Sequence, residues 1–426
     1  MPPSSFSLRA RYVLPVTSEP IEHGVVTVAG GKIVAVGPAA PGGGKVHDLG
    51  EVALLPGLIN AHTHLELSDC ERPLGTTGLR LVDWIPQVVA HRAKRSDPGP
   101  AIVAGGLFEC LQAGTTALAD TVAPGFSPAE FERAPIRAAL FQELIAPTPE
   151  RADRALERAR RHLESKPGGC WQLGLSPHAP YTVRPELLDA AIDLAARSGA
   201  PVAMHLAESL EEVELLATGN GPFRAMLESL GAWSDGLVPV PARPLDYLRK
   251  LAAAPYALIV HGNCLNAAEW DFLAERRDRM SVVYCPRSHA HFDYPAYPLG
   301  KMLAAGVNVC LGTDSRASAP DLSLLAEMRF AAERHPDVRP ATLVELATRA
   351  AACALGCHAE LGRLVPGMKA DLTAVTLPPS PDADPCEALL HSGGRVVATW
   401  IEGTRQPPFP TAPAGVRLVD NSATLP

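Results

Sequence analysis

Nowhere does this 426-residue chain offer the roughly 18 consecutive apolar residues that a membrane helix requires, so a bilayer span is not expected. The segment from Met1 to Arg11 has no apolar core ahead of a cleavage site, and no secretory signal is expected. Basic clusters are missing too. The net charge of −8 is modest for the length, so nucleic acid is not an expected partner. The nine cysteines are scattered, odd in number and never spaced C-x-x-C. Only Cys353 and Cys357 lie close, four apart within an expected helix. Such usage reads as reduced, mostly buried thiols of a cytoplasmic protein rather than a disulfide frame. H-E-x-x-H and P-C-x-x-C are absent, and no G-x-G-x-x-G follows the first expected barrel strand.

What is present is the balance of a globular protein, with 47% hydrophobic and 20% charged residues. The length exceeds one ordinary core and suits a large domain with a smaller one. Both ends read as β. Gly24 to Val28 and Ile33 to Val36 flank a Gly30-Gly31 turn, and Asp371 to Val375 and Arg395 to Ile401 are strand-like. Pro-rich stretches, Leu377 to Pro385 and Pro407 to Pro413, read as loops. The middle alternates strands with helical patterns such as Pro185–Arg197, Glu211–Leu216, Ala268–Arg277 and Leu322–Arg334. The expected strands are Leu54–His62, Thr116–Asp120, Arg137–Leu144, Gln172–Pro177, Val202–His205, Ala257–His261, Ser281–Cys285 and Val307–Gly312. Eight such repeats predict an α/β fold: a (β/α)8 TIM barrel over 56–359, with a small β-sandwich from 1–55 and 360–426. An open doubly wound sheet is the alternative.

His62-Thr63-His64 falls where the first barrel strand ends, and residues i and i+2 share a strand face. His205, His261 and Asp314 likewise follow apolar runs at the ends of the fifth, sixth and eighth strands. In a barrel those ends meet at one face. Polar groups buried there without partners would cost several kcal/mol, and a shared ion removes that cost. Imidazole and carboxylate suit zinc, so His62, His64, His205 and Asp314 form the candidate metal set. A metal lowers the pKa of bound water from about 15.7 to about 7. Glu208 is placed to shuttle the proton; His261 orients or polarises, and Asp314 can also accept a proton. No lysine lies between Lys166 and Lys250, so the bridging carboxylated lysine of a two-metal site has no source on the fourth strand. One metal is expected.

These residues resemble the amidohydrolase superfamily, in its branch of aminohydrolases and chlorohydrolases of nitrogen heterocycles. The resemblance rests on Leu-Pro-Gly-Leu-Ile-Asn-Ala-His-Thr-His-Leu-Glu (55–66), Pro-His-Ala-Pro-Tyr-Thr (177–182), His-Leu-Ala-Glu (205–208), Val-His-Gly (260–262) and Leu-Gly-Thr-Asp-Ser (311–315). Segments 30–37 and 362–372 resemble the family's β-sandwich. The resemblance implies one divalent ion, zinc with iron as the alternative, on His62, His64, His205 and Asp314. It implies Glu208 and His261 in proton transfer, with His178 and Ser318 facing a small heterocyclic substrate. Phe-Gln-Glu (141–143), Val-Asp-Trp-Ile (82–85), Gly-Pro-Phe (221–223) and Cys-Pro-Arg-Ser-His (285–289) look most like aminodeoxyfutalosine deaminases, which act on an adenine nucleoside. His289 departs from the Asn many relatives carry, which makes that loop a candidate substrate contact.

Glu66 and Trp84 are further candidate pocket residues, as are Phe223, Trp233 and Tyr247 on the long connection 206 to 256. A second metal at His289 and His291 is not expected. His23, His47, His91, His162, His335, His358 and His391 read as surface residues, and Glu150–Lys166 as a solvated helix face. The leading expectation is hydrolytic deamination of an amino-substituted purine or nucleoside. The alternatives are a chlorohydrolase, a cyclic-amide hydrolase, or a silent barrel kept for binding. A homodimer is the assembly allowed for.

Overall fold

A computed structural model describes residues 5–41, 45–95, 99–165, 170–378, 384–390 and 393–406, with the side chains of Cys170 and Trp171 excepted. Its centre is an eight-stranded parallel sheet in sequential order: Leu58–Thr63, Thr115–Val122, Arg137–Leu144, Cys170–Pro177, Val202–Leu206, Ala257–His261, Met280–Tyr284 and Asn308–Leu311. The last strand returns to the first through a parallel bridge between Thr63 and Asp314, and Thr313 N donates to His62 O at 3.2 Å. Helices occupy the crossovers, giving a nearly closed (β/α)8 barrel.

The strand expected over Leu54–His62 is two strands. Val52–Pro56 belongs to a separate six-stranded sheet, and the barrel begins at Leu58. The break falls at Gly57, where an added Cβ would lie 2.1 Å from Thr116 Oγ1. Only glycine lets the chain pass that close to the second barrel strand. Both ends contribute to this sheet, since Leu372–Thr376 pairs antiparallel with both Val52–Pro56 and Val396–Ile401. A second, four-stranded sheet carries the expected hairpin, Val25–Ala29 with Lys32–Gly37, turning at Gly30 and Gly31 with φ of +59° and +74°. Leu8, Val26, Leu54, Leu372 and Trp400 are buried in the core that the two sheets share. Arg137, at the start of the third barrel strand, pairs with buried Asp371 (Nε–Oδ2 2.9 Å) and ties the barrel to this sheet layer.

Several local expectations change. Pro385–Leu390 forms a helix, so the loop expected to run through Pro385 ends before it. The helix carrying Cys353 stops at Ala354, and Cys357 lies beyond it after the left-handed Gly356. His162 and His335 are buried, not superficial: His162 Nε2 is 3.0 Å from Leu140 O, and His335 Nε2 is 3.1 Å from Tyr284 Oη. His391 and the stretch 407–413 lie outside the described residues. The eight described cysteines are all free thiols. No helix among the described residues is long and apolar enough to cross a membrane.

Candidate active site

The first barrel strand is held in register from both sides. On the face opposite the histidines, Thr63 Oγ1 donates to Ala119 O (3.0 Å) and Asp120 Oδ1 (2.9 Å), and Leu65 N donates to the same Asp120 oxygen at 2.9 Å. Asn60, two residues before His62, donates to Thr313 Oγ1 at 2.8 Å and accepts from Thr313 N at 3.1 Å. Buried Asp120 and Asn60 thus fix the strand end that carries His62 and His64, and Asn60 couples it to the strand end that carries Asp314.

The expected ligand atoms converge. His62, His64 and Asp314 form one group with ligand atoms within 4.8 Å of one another, and His62, His205 and His261 form a second. His205 Nδ1 donates to His178 O at 3.0 Å, which leaves its Nε2 lone pair facing His64 Nε2 at 3.3 Å. Asp314 Oδ1 lies 3.8 Å from His62 Nε2 and 3.9 Å from His64 Nε2. Two imidazole nitrogens at such a separation either share a proton or share a cation. His62 Nε2 is buried beside them with no hydrogen-bond partner, as a nitrogen open to a cation would be. Burial, followed by neighbouring imidazoles, pushes His62 and His64 well below the ordinary histidine range. The rings are therefore neutral, the form that ligates. Three imidazoles and a carboxylate suit a divalent metal.

Glu208 and His261 stand next to this group, with His261 Nε2 3.5 Å from Glu208 Oε1. Desolvation, then Asp314 and Glu212, raises Glu208 well above the ordinary carboxylate range. The backbone that presents Glu208 is fastened by Glu212, whose two oxygens accept from Ala207 N (2.8 Å) and Glu208 N (2.9 Å). Left-handed φ values occur at Ala207 (+54°), His261 (+68°) and Asp314 (+57°). Non-glycine residues adopt this region at an energetic penalty, and here it turns side chains at three strand ends into one mouth.

The mouth opens into a cavity of about 290 Å³. His64, His205, Glu208, His261 and Asp314 line its inner end together with His178, whose Nδ1 is 2.8 Å from Thr182 Oγ1. Trp84 lines the cavity as well, with Ile85, Val88 and Leu230. Other expected contacts sit elsewhere. Ser318 is buried behind the site, and its Oγ donates to Asp314 Oδ2 (2.9 Å), as Ser288 Oγ does at 2.8 Å. Glu66 is clamped by Arg92 and Arg95 outside this cavity. His289 packs among Tyr284, Tyr294 and Tyr297, while His291 Nε2 turns away to Leu74 O at 3.0 Å, so the two rings share no ligand position. Phe223 and Tyr247 are core residues, and Trp233 stacks on Arg224; the helix Pro222–Ser229 reaches the cavity through Met226 and Leu227 instead.

Sequence reasoning quoted Glu143 only within Phe-Gln-Glu, gave it no site role, and passed over Arg92; both line the cavity. Glu143 carried the signal that found the histidines, a polar residue near the end of an apolar barrel strand. Arg92 gave no signal, since an arginine late in a helix reads as a solvated charge.

The match to the Amidohydrolase family spans residues 53–405. Aminodeoxyfutalosine deaminase of Deinococcus radiodurans is 35% identical over 317 residues, covering 70% of this chain and 72% of that protein. A 5-methylthioadenosine/S-adenosylhomocysteine deaminase of Syntrophobacter fumaroxidans is 31% identical over 376 residues, 83% of this chain and 80% of its own. Among solved structures, a zinc-bound adenosine deaminase from Xanthomonas campestris superposes with a TM-score of 0.73 at 28% identity, covering 94% of this chain and 92% of that one. Helicobacter pylori aminofutalosine deaminase with methylthio-coformycin gives a TM-score of 0.81 at 22% identity, covering 94% and 99%, which is a likeness of fold. With its histidine and carboxylate cluster at the strand ends of the barrel, the chain belongs to the amidohydrolase family and is a hydrolase acting on C–N bonds.

Proposed function

We propose that the protein removes the exocyclic amino group of an amino-substituted purine or nucleoside by hydrolysis, with one zinc ion per chain held by His62, His64, His205 and Asp314. The observation that carries this reading is Glu208. It is a buried carboxyl beside the ligand group and 3.5 Å from His261, facing a cavity with room for a nucleoside-sized ligand. The ion, when bound, supplies the Lewis acidity that brings a water near neutrality in pKa. Glu208 would take a proton from the attacking water as its oxygen joins the ring carbon, and return it to the departing nitrogen as the C–N bond breaks, giving ammonia. An amine needs that proton to leave as ammonia. A halide leaves without one, so a carboxyl placed to return that proton suits deamination. His261 holds Glu208 in position and polarises the reacting centre, and His178 contacts the ring. Trp84 and the aliphatic wall cover the substrate's apolar part. Ser318 acts through Asp314. The free thiols fit a cytoplasmic setting. The names of the two relatives above, an aminodeoxyfutalosine deaminase and a 5-methylthioadenosine/S-adenosylhomocysteine deaminase, support the substrate class.

The test is ammonia release by zinc-loaded protein across adenine nucleosides, guanine and amino- or chloro-triazines. Release from an adenine nucleoside is expected. Bound metal with no ammonia from any amine overturns the reading.

A further inference from the structure

A second chamber of about 270 Å³ adjoins the main cavity, and Arg92, Glu143 and Ile145 line both. Glu143 is the penultimate residue of the third barrel strand and is 2% exposed, yet its Oε1 is buried with no hydrogen-bond partner. An unpartnered buried carboxylate oxygen is costly, and such a group persists where a ligand completes it. Arg92 gives Nε to Glu66 Oε1 (2.8 Å) and Nη2 to the same oxygen. It acts on Glu143 through charge, favouring the ionised form against the desolvation that opposes it.

The charges around the second chamber balance: Arg92 and Arg95 against Glu66 and Glu143. A cationic amine entering it would meet the two guanidinium groups, and an anion would meet the two carboxylates. A neutral group that both donates and accepts hydrogen bonds is matched by both signs, and a hydroxyl is such a group. We propose that Glu143 is a specificity-determining residue that accepts hydrogen bonds from the hydroxyl groups of the substrate's sugar, with the second chamber, which Arg92 also lines, as the sugar's site. This rests on the nucleoside reading above. It adds the residue that separates a nucleoside from a free base or a deoxygenated analogue. The reacting ring then lies at the metal end, under His178, and the sugar lies toward Arg92.

The experiment compares kcat/KM for an adenine ribonucleoside that the protein deaminates with that for its 2′,3′-dideoxy counterpart, in wild type, Glu143→Ala and Glu143→Gln. Hydrogen bonds to a charged group are worth about 1.5–3 kcal/mol, so wild type should favour the ribonucleoside by about 10–150-fold. In Glu143→Ala that ratio should collapse toward one, chiefly through KM for the ribonucleoside, with Glu143→Gln intermediate because an amide oxygen still accepts. Metal content and Tm should hold, since the lost Oε1 has no protein partner. A wild type indifferent to the missing hydroxyls, or a Glu143→Ala ratio equal to wild type, overturns the proposal while leaving deamination intact. Absence of ammonia from every nucleoside removes the nucleoside reading itself, and this one with it.

Discussion

The Nε2 atoms of His64 and His205, borne by the first and fifth barrel strands, face each other 3.3 Å apart while the Nδ1 of His205 is committed to the His178 carbonyl. An ion held between them, as proposed, would add its binding energy to the folding energy of the barrel mouth. Chelation should therefore lower Tm, and re-addition of zinc should restore it. A ligand at a thousandfold excess over its Kd contributes about 4 kcal/mol. His205→Ala should hold less than one equivalent of metal in elemental analysis. Equal Tm with and without the ion would mean that these rings do not ligate.

Glu208 touches no ligand ring directly in the way His64 touches His205, so metal retention and turnover should separate at this residue. Glu208→Gln is expected to bind metal normally and to lose about 10²–10⁴ in turnover, the usual worth of a general acid–base. Pre-steady-state ammonia release measures the chemical step. Full activity in this variant would exclude the proton-shuttle role.

Ser288 and Ser318 both donate to Asp314 Oδ2, leaving Oδ1 toward His62 and His64. Removing both donors lets the carboxylate rotate. Ser288→Ala with Ser318→Ala should weaken metal affinity by about 10–100-fold, the usual effect of losing groups that orient a ligand. Competition with a chromophoric chelator reads this directly, and undiminished affinity would show that Asp314 needs neither serine.

His162 sits far from the site, buried against Leu140 O, and burial lowers its pKa below the histidine value of 6.5. Below that value the unfolded chain takes up a proton that the native ring resists. The unfolded state then binds more protons, so stability falls as pH drops. Tm should decrease from pH 7 to 5, and the decrease should be shallower in His162→Gln, which does not titrate. Parallel slopes in wild type and variant would refute the assignment.

Much of the site was legible because its logic is local. A polar residue that ends an apolar strand needs a partner, and this rule singled out His62, His64, His205, His261 and Asp314. It applied equally to Glu143, which entered the sequence reading only within the Phe-Gln-Glu motif and was assigned no role. Ser318 and Glu66 each lie near the motif in sequence, but the sequence does not say which neighbours hold them. Ser318 is claimed by Asp314 and Glu66 by Arg92 and Arg95. His162 and His335 read as superficial because helix and loop positions give no measure of what packs over them.

By itself, the sequence determined the alternation of strands and helices, the candidate ligand types and the expectation of one metal, because alternation of elements and residue chemistry are properties of the chain alone; it favoured a barrel over an open sheet, and the pairing of the strands decided for the barrel. Only the tertiary structure decided how the mouth is arranged. The break at Gly57, the left-handed turns at His261 and Asp314, and the second chamber behind Glu143 arise from contacts between residues far apart in the chain. No spacing rule encodes contacts of that kind.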